Sequence, residues 1–415
     1  MPIVEPVQRE PSEKSSRAPL IILFLTVFID LLGFGIVIPF LPLYAGRLGV
    51  GALGIGLVLA VYSLMQFLCA PLLGRISDYV GRRPIIMLGL LGSSIGYVIY
   101  GFAFSFALLL ISRAVHGMCA GTVSTAQAYV ADTMPESKRA HGMGMIGAAF
   151  GLGFVLGPAI GGLLGHASLR MPVFFAAGLT FANLIFAALA LPESHTPSRH
   201  VRLELKRIVE PVLMLPRQLT GHRLSRLFTI AFLLTFTISV WEATFALMVP
   251  AIYGYRALGV GVLLAYAGLM QAITQGYLLR KIVGRAGEPK LIRLGALLLA
   301  IGMIPLASSS SHAMLFVLLA LLSLGYGFAS PSVASLISRR SERHQQGEVL
   351  GVNQSALSLA RIFGPIAAGL VYELAGPVAA YAGGGAVALA ALALAASIEP
   401  AHQPEPAREA DGVRL

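Results

Sequence analysis

FLTVFIDLLGFGIVIPFLPLY, residues Phe24–Tyr44, runs for twenty-one positions with a single charged side chain, Asp30. As a helix it rises about 30 Å, the thickness of a bilayer's hydrocarbon core. Runs of this kind recur to the end of the chain, near 20–45, 54–74, 85–103, 105–130, 142–164, 171–191, 226–250, 257–279, 289–308, 313–338, 346–372 and 376–398. Of the 415 residues 56% are hydrophobic and 12% charged, against about a quarter charged in a soluble domain. The pattern predicts an all-α membrane protein of twelve transmembrane helices.

The net charge of +11 would suit a nucleic-acid binder, but its placement argues otherwise. An even number of spans puts both termini on one side, and the loops of that side hold 25 of the 30 Lys and Arg residues. The opposite loops hold Arg47, Arg170 and Arg256; Arg113 and Arg361 lie inside spans. By the positive-inside rule both termini are cytoplasmic, in a cell (inner) membrane. The surplus is a topology signal with some pull toward anionic lipid. Residues 1–19 contain Glu5, Glu10 and Glu13 and do not read as a signal peptide. Cys69 and Cys119 lie inside spans and read as small packing residues.

A polar stretch splits the spans six and six. The expected organisation is a cytoplasmic tail (1–19), a six-helix bundle (20–191), a cytoplasmic linker (192–225), a second bundle (226–398) and a cytoplasmic tail (399–415). The linker's VRLELKRIVEPVLMLPRQL reads as a strut on the inner membrane face, broken by Pro211 and Pro216. The halves look like repeats: Gly144, Gly157, Pro158 and Gly162 recur 207 residues on as Gly351, Gly364, Pro365 and Gly369, and Asp30 is echoed by Glu242. Two pseudo-symmetric six-helix bundles with a site at their interface are a common transporter plan.

Three motifs follow. GRISDYVGRRP (Gly74–Pro84) joins spans 2 and 3, RAVHGMCAGTVSTAQAYVAD opens at Arg113 in span 4, and GAAFGLGFVLGPAIGGLLG fills span 5. The glycines of GLGFVLG lie inside an apolar span, without the strand and the downstream acid of a dinucleotide fingerprint; they suit close helix contact. Together the motifs resemble the major facilitator superfamily, and within it the twelve-span drug:proton antiporters, tetracycline exporters above all. The resemblance covers residues 20–398. It implies a gating role for the loop motif (Gly74, Asp78, Gly81, Arg82, Arg83, with Asp132), in which Asp78 docks on the cytoplasmic end of span 11 in the outward-facing state. It also implies an antiporter motif at Gly153, Gly157, Pro158, Gly161 and Gly162. In the second half GYLLRKIVGRAG keeps Gly276 and Gly284 but has Arg280 in place of the acid.

Ionisable residues deep in spans are Asp30, Arg113, His116, Glu242 and Arg361. A charge at a helix centre costs about 2.5–3.5 kcal/mol on insertion scales, so each needs a partner or water. A carboxylate whose solvation and arginine partner change with conformation binds and releases a proton as the protein switches. Asp30 and Arg113 match the acid and the arginine that the resemblance assigns to proton coupling; the plainer reading is a structural ion pair joining spans 1 and 4. Phe34, His116, Trp241, Glu242, Phe245 and Arg361 are candidate cavity residues. Glu242 with Trp241 and Phe245 would suit a cation or serve as a second proton site, and Arg361 would balance Glu242 or suit an anion.

The expected activity is proton-coupled export of small amphipathic molecules by alternating access; the alternative is export of another cargo class such as a sugar, siderophore, amino acid or lipid. No acid dyad, nucleophile–base pair, His/Cys metal cluster or ATP-binding motif is visible, so neither an enzyme nor a primary pump is expected. No cofactor or metal is expected either; the partners are small-molecule substrate, protons and membrane lipid, and the expected state is monomeric. The resemblance stops in span 3, where tetracycline exporters carry an aspartate and this chain has Gly96.

Overall fold

A computed structural model describes residues 17–194, 224–341 and 346–398, and every regular element among them is a helix. Ten segments are long and apolar enough to cross a membrane. One of them, Val349–Ala396, is two helices meeting at Gly376, whose φ of 82° interrupts the helix. Splitting it and adding the sixteen-residue helix Glu288–Met303 gives twelve rods among the described residues. We number them α1 (Pro19–Arg47), α2 (Ala52–Val80), α3 (Arg82–Gly101), α4 (Phe106–Thr133, broken at 119–121), α5 (Glu136–Ala167) and α6 (Met171–Ala190) in the first half. The second half has α7 (Ser225–Tyr253), α8 (Ala257–Ala286), α9 (Glu288–Met303), α10 (His312–Arg340), α11 (346–375) and α12 (377–396). Most of the expected linker (195–223 of 192–225), most of the N-terminal tail (1–16 of 1–19) and the C-terminal tail (399–415) lie outside the described residues.

Burial separates the halves. Two apolar cores belong to the first, one around Ile36, Phe40, Tyr97 and Val173, the other around Leu23, Ile86, Tyr129 and Ala149. A single core serves the second, from Leu224 to Ile398. The repeated glycines do matching work in each half. Gly157 of α5 lies against Gly35 of α1, and Gly364 of α11 lies against Phe236 and Ser239 of α7. Gly162 and Gly369 instead face the other half, against Gly261 of α8 and Ala52 of α2.

The two halves meet through α2 on α11 and α5 on α8. Backbone-close contact is confined to the end remote from the basic loops, here the far end. A Cβ on Gly56 would lie 2.2 Å from the Pro365 carbonyl oxygen, and one on Gly369 would lie 2.3 Å from that of Ala52. On the other pair, a Cβ on Gly268 would lie 2.7 Å from the Phe154 oxygen. Toward the basic end of the same four helices the glycines are bare, except Gly142 of α5, which packs on Val130 and Met134 of its own half. Gly74, Gly144, Gly147, Gly151, Gly276, Gly284 and Gly351 have nothing within 4 Å of a Cβ position. The bundle is therefore shut at the far end and parted at the basic end, with a cavity between its halves.

Candidate functional site

The glycine motif of α5 is a seam. Gly153, Gly157 and Gly161 recur every four residues on one face and rest on Leu31, on Gly35, and on Ile36 and Phe40 of α1. In return a Cβ on Gly35 would lie 2.6 Å from the Gly153 oxygen. Small residues let the backbones approach and pack closely in lipid. The seam fixes Asp30, one residue from the contact at Leu31, to α5. Pro158 places its carbonyl oxygen 2.6 Å from a Cβ built on Gly261 of the other half, so the motif also contacts the other half.

Asp30 is half-buried and lies opposite Thr122 of α4. Arg113, expected as its partner, forms no ion pair with it. The guanidinium is 1% exposed, lies 4.6 Å from the centre of the Tyr62 ring, and its Nη1 is 3.1 Å from His116 Nδ1. An arginine can only donate, so Nδ1 is the bare nitrogen and His116 is neutral with its proton on Nε2. Rings enclose the imidazole, Tyr97 at 4.6 Å, Tyr62 at 5.0 Å and Phe34 at 6.2 Å between centres. His116 is thus a buried hydrogen-bond acceptor rather than part of the cavity wall. The fields of Asp30, Arg113 and Arg361 converge on Tyr62, which sequence reasoning missed. An apolar run gives no sign that its one tyrosine will cover an arginine two helices later.

From Ile230 to Val249, Glu242 is the one exposed residue of α7. A helix buried on all other sides exposes it to the cavity. Trp241 and Phe245, expected beside it on the cavity wall, are 8% and 1% exposed and pack together at 5.1 Å in the core of the second half. Trp241, at i−1, projects about 100° away from Glu242, whereas Phe245, at i+3, shares its side of the helix and is nonetheless packed into the core of the second half. Arg361 acts electrostatically on Glu242 without a direct ion pair. It stands on a stripe of α11 with Gln354 and Ser358, at i, i+4 and i+7. The positions 207 residues earlier on α5 are Gly147, Gly151 and Phe154. Phe154 meets Phe34 at 6.1 Å and Phe150 at 6.4 Å, and Phe34 meets Tyr62 at 5.4 Å. One wall is aromatic and belongs to the first half; the facing wall is polar and belongs to the second.

At the basic end the loop motif closes on Arg82, 7% exposed. Its guanidinium donates to Asp78 at 2.5 Å, to Asp132 at 2.8 Å and to Ser77 at 2.6 Å. Arg83 donates to the Ala188 carbonyl. Glu193, just past α6, accepts from the amides of Arg82 (2.8 Å) and Arg83 (3.2 Å), a carboxylate cap on the first turn of α3. Gly81 is required twice: its φ is 100°, and a Cβ would lie 2.4 Å from Glu193 Oε2.

The second half builds the same clamp with the charges exchanged. Glu288, the residue matching Arg82, accepts from Arg339 (2.7 Å), the residue matching Asp132, and from Ser335 (3.2 Å). The glycine that turns the chain there is Gly287, φ 75°, rather than Gly284, which lies inside α8. A π-turn at Thr274–Leu278 makes α8 one residue longer than α2, 30 against 29.

The Major Facilitator Superfamily profile matches residues 23–308 and 281–414. The chain is 33% identical over 352 residues to the class E tetracycline resistance protein of Escherichia coli, covering 84% of this chain and 86% of that one. It is 29% identical to Multidrug resistance protein 2 of Bacillus subtilis, covering 88% and 91%. Among solved structures the human organic anion transporter MFSD10 (TETRAN) superposes with a TM-score of 0.69 at 29% identity, over 93% of this chain and 100% of that one. With twelve rods in two halves and a cavity between them, the chain belongs to the Major Facilitator Superfamily of membrane transporters, in the branch that its tetracycline- and multidrug-resistance relatives occupy.

Proposed function

We propose that the chain is a proton-driven exporter that carries small amphipathic molecules out of the cytoplasm by alternating access of its two halves. The observation that carries this reading is the pair of carboxylates inside the spans, Asp30 on α1 and Glu242 on α7, one in each half. When the halves rock, the water around each carboxylate changes, as does its distance to Arg113 or Arg361, and with them its hold on a proton. The basic end, open here, is taken as the cytoplasmic side from the distribution of Lys and Arg. An aromatic wall facing a polar one suits a cargo with two unlike faces.

A second reading of the cargo, organic anions, is favoured by Arg361, which is exposed and makes no direct ion pair among the described residues; one relative is an organic anion transporter. Sugars, siderophores, amino acids and lipids remain the broader alternative. The chain acts as a monomer in the cell (inner) membrane, with both termini in the cytoplasm. The test is efflux from proteoliposomes under an imposed proton gradient, across cationic, neutral and anionic compounds. Asp30→Asn is expected to reach the membrane yet lose gradient-dependent transport. Full gradient-driven efflux by that variant would refute the proton-coupling assignment.

A further inference from the structure

The ends of α2 and α11 carry one signature. Gly56, Ser63, Gly74, Asp78 and Gly81 recur as Gly351, Ser358, Gly369, Glu373 and Gly376, each 295 residues on. The detail extends to structure. Ser63 and Ser358 both donate to the carbonyl four residues back, and Gly81 and Gly376 both stop their helix with positive φ, 100° and 82°. The two helices run in opposite directions. α2 starts at the far end and finishes at the basic end; α11 does the reverse.

At the far end the α11 copy is docked. Glu373 Oε2 accepts from the Leu53 amide at 3.0 Å, one of the amides that the first turn of α2 cannot satisfy internally. The same carboxylate lies 2.8 Å from a Cβ position on Gly51, while Gly369 and Gly56 bring the two backbones together behind it. At the basic end the α2 copy is undocked. Gly74 and Gly351 face open space, and Asp78 pairs inside its own half with Arg82.

We propose that the two copies form a reciprocal latch and that Glu373 is the positioning residue that holds the far end shut in this state. The proposal rests on alternating access. As the halves rock, Gly74 and Gly351 close on the opposite helix, Asp78 caps the first amides of α11, and Glu373 releases Leu53. The resemblance already implies the Asp78 arm; the Glu373 arm follows from the 295-residue correspondence and the observed dock. One carboxylate serves each state, so the two compete through the rocking motion.

The test uses the full chain in lipid nanodiscs, with Cys69 and Cys119 replaced by Ala and spin labels on paired cysteines. Arg47→Cys with Val378→Cys reports the far end; Val80→Cys with Arg280→Cys reports the basic end. Glu373→Ala is expected to raise the long far-end distance about tenfold in population, the scale of a lost helix cap, with a matching rise in the short basic-end distance. Asp78→Asn is expected to move both distributions the other way, and the double variant to return toward the parent. Gly369→Ala, which crowds the Ala52 carbonyl, is expected to act in the same direction as Glu373→Ala and serves as a second arm. Unmoved distances in Glu373→Ala, or a shift in the direction of Asp78→Asn, overturn the latch. Distances are read without cargo or gradient, so a failure of proton coupling leaves this result intact, and an unmoved distance leaves proton coupling standing.

Discussion

Arg113 has little freedom: it is buried, stacked over Tyr62 and tied to His116 Nδ1, with its Nε and Nη2 lacking partners among the described residues. The flat guanidinium makes both contacts at once, the ring through its face and Nδ1 through its edge, which a compact ammonium on a single atom cannot reproduce, so we expect Arg113→Lys to behave like Arg113→Ala and lose gradient-driven transport, read in the same proteoliposome assay. Arg82 gives the complementary case, since its work is mechanical. Arg82→Ala strands Asp132 and Asp78 and removes a largely buried ion pair, a loss of about 3 kcal/mol; the expected result is a clear drop in Tm in detergent, with Asp132→Asn milder. At this scale the deep charges were legible, because a charge in an apolar run is visible by itself. Their partners were not: Tyr62, Glu193 and the Arg113–His116 bond depend on which helix lands beside which.

The helices of this chain are glycine-seamed, and where each seam lies decides which substitutions matter. Gly157→Ala places a Cβ 2.5 Å from the Gly35 backbone and is expected to destabilise by about 1–3 kcal/mol through overpacking. Gly144→Ala, ten or more residues up the same helix and facing open space here, should leave Tm unchanged; equal drops in Tm would remove the seam from the account. The α3 seam bears on cargo. Gly89, Gly92 and Gly96 face α4, and a Cβ on Gly96 would lie 2.9 Å from the His116 Cβ. The aspartate that tetracycline exporters carry in span 3 has no room at this position. Weak or absent tetracycline resistance is therefore expected in a sensitive host with expression confirmed by blot, and a robust rise abolished by Asp30→Asn would count against this. Hydropathy located the elements well. It could not foresee the π-turn in α8, nor that the chain turns at Gly287 rather than Gly284, nor the packing that draws Trp241 and Phe245 into the core of the second half.

For the molecule as a whole, orientation is the first quantity to check. Cysteines placed at Gly46 and Arg170 should react with an impermeant thiol reagent in intact cells, and one at Ser198 should not; the reverse pattern would invert the direction of export. The two halves and their repeat were readable from the 207-residue spacing alone. Which end stands open was not, because that depends on a difference between two packed states that share one sequence. The bare glycines at the basic end have a pharmacological consequence. Under the alternating access proposed above, turnover brings Gly74, Gly144, Gly276 and Gly351, which face open space here, back against their neighbours, and cargo length is then limited by what that mouth can seal behind it rather than by what it can admit. We expect a transported compound extended by a long tail to enter, lodge between the aromatic and polar walls, and wedge the mouth apart. Such a derivative would be a competitive blocker made from a substrate.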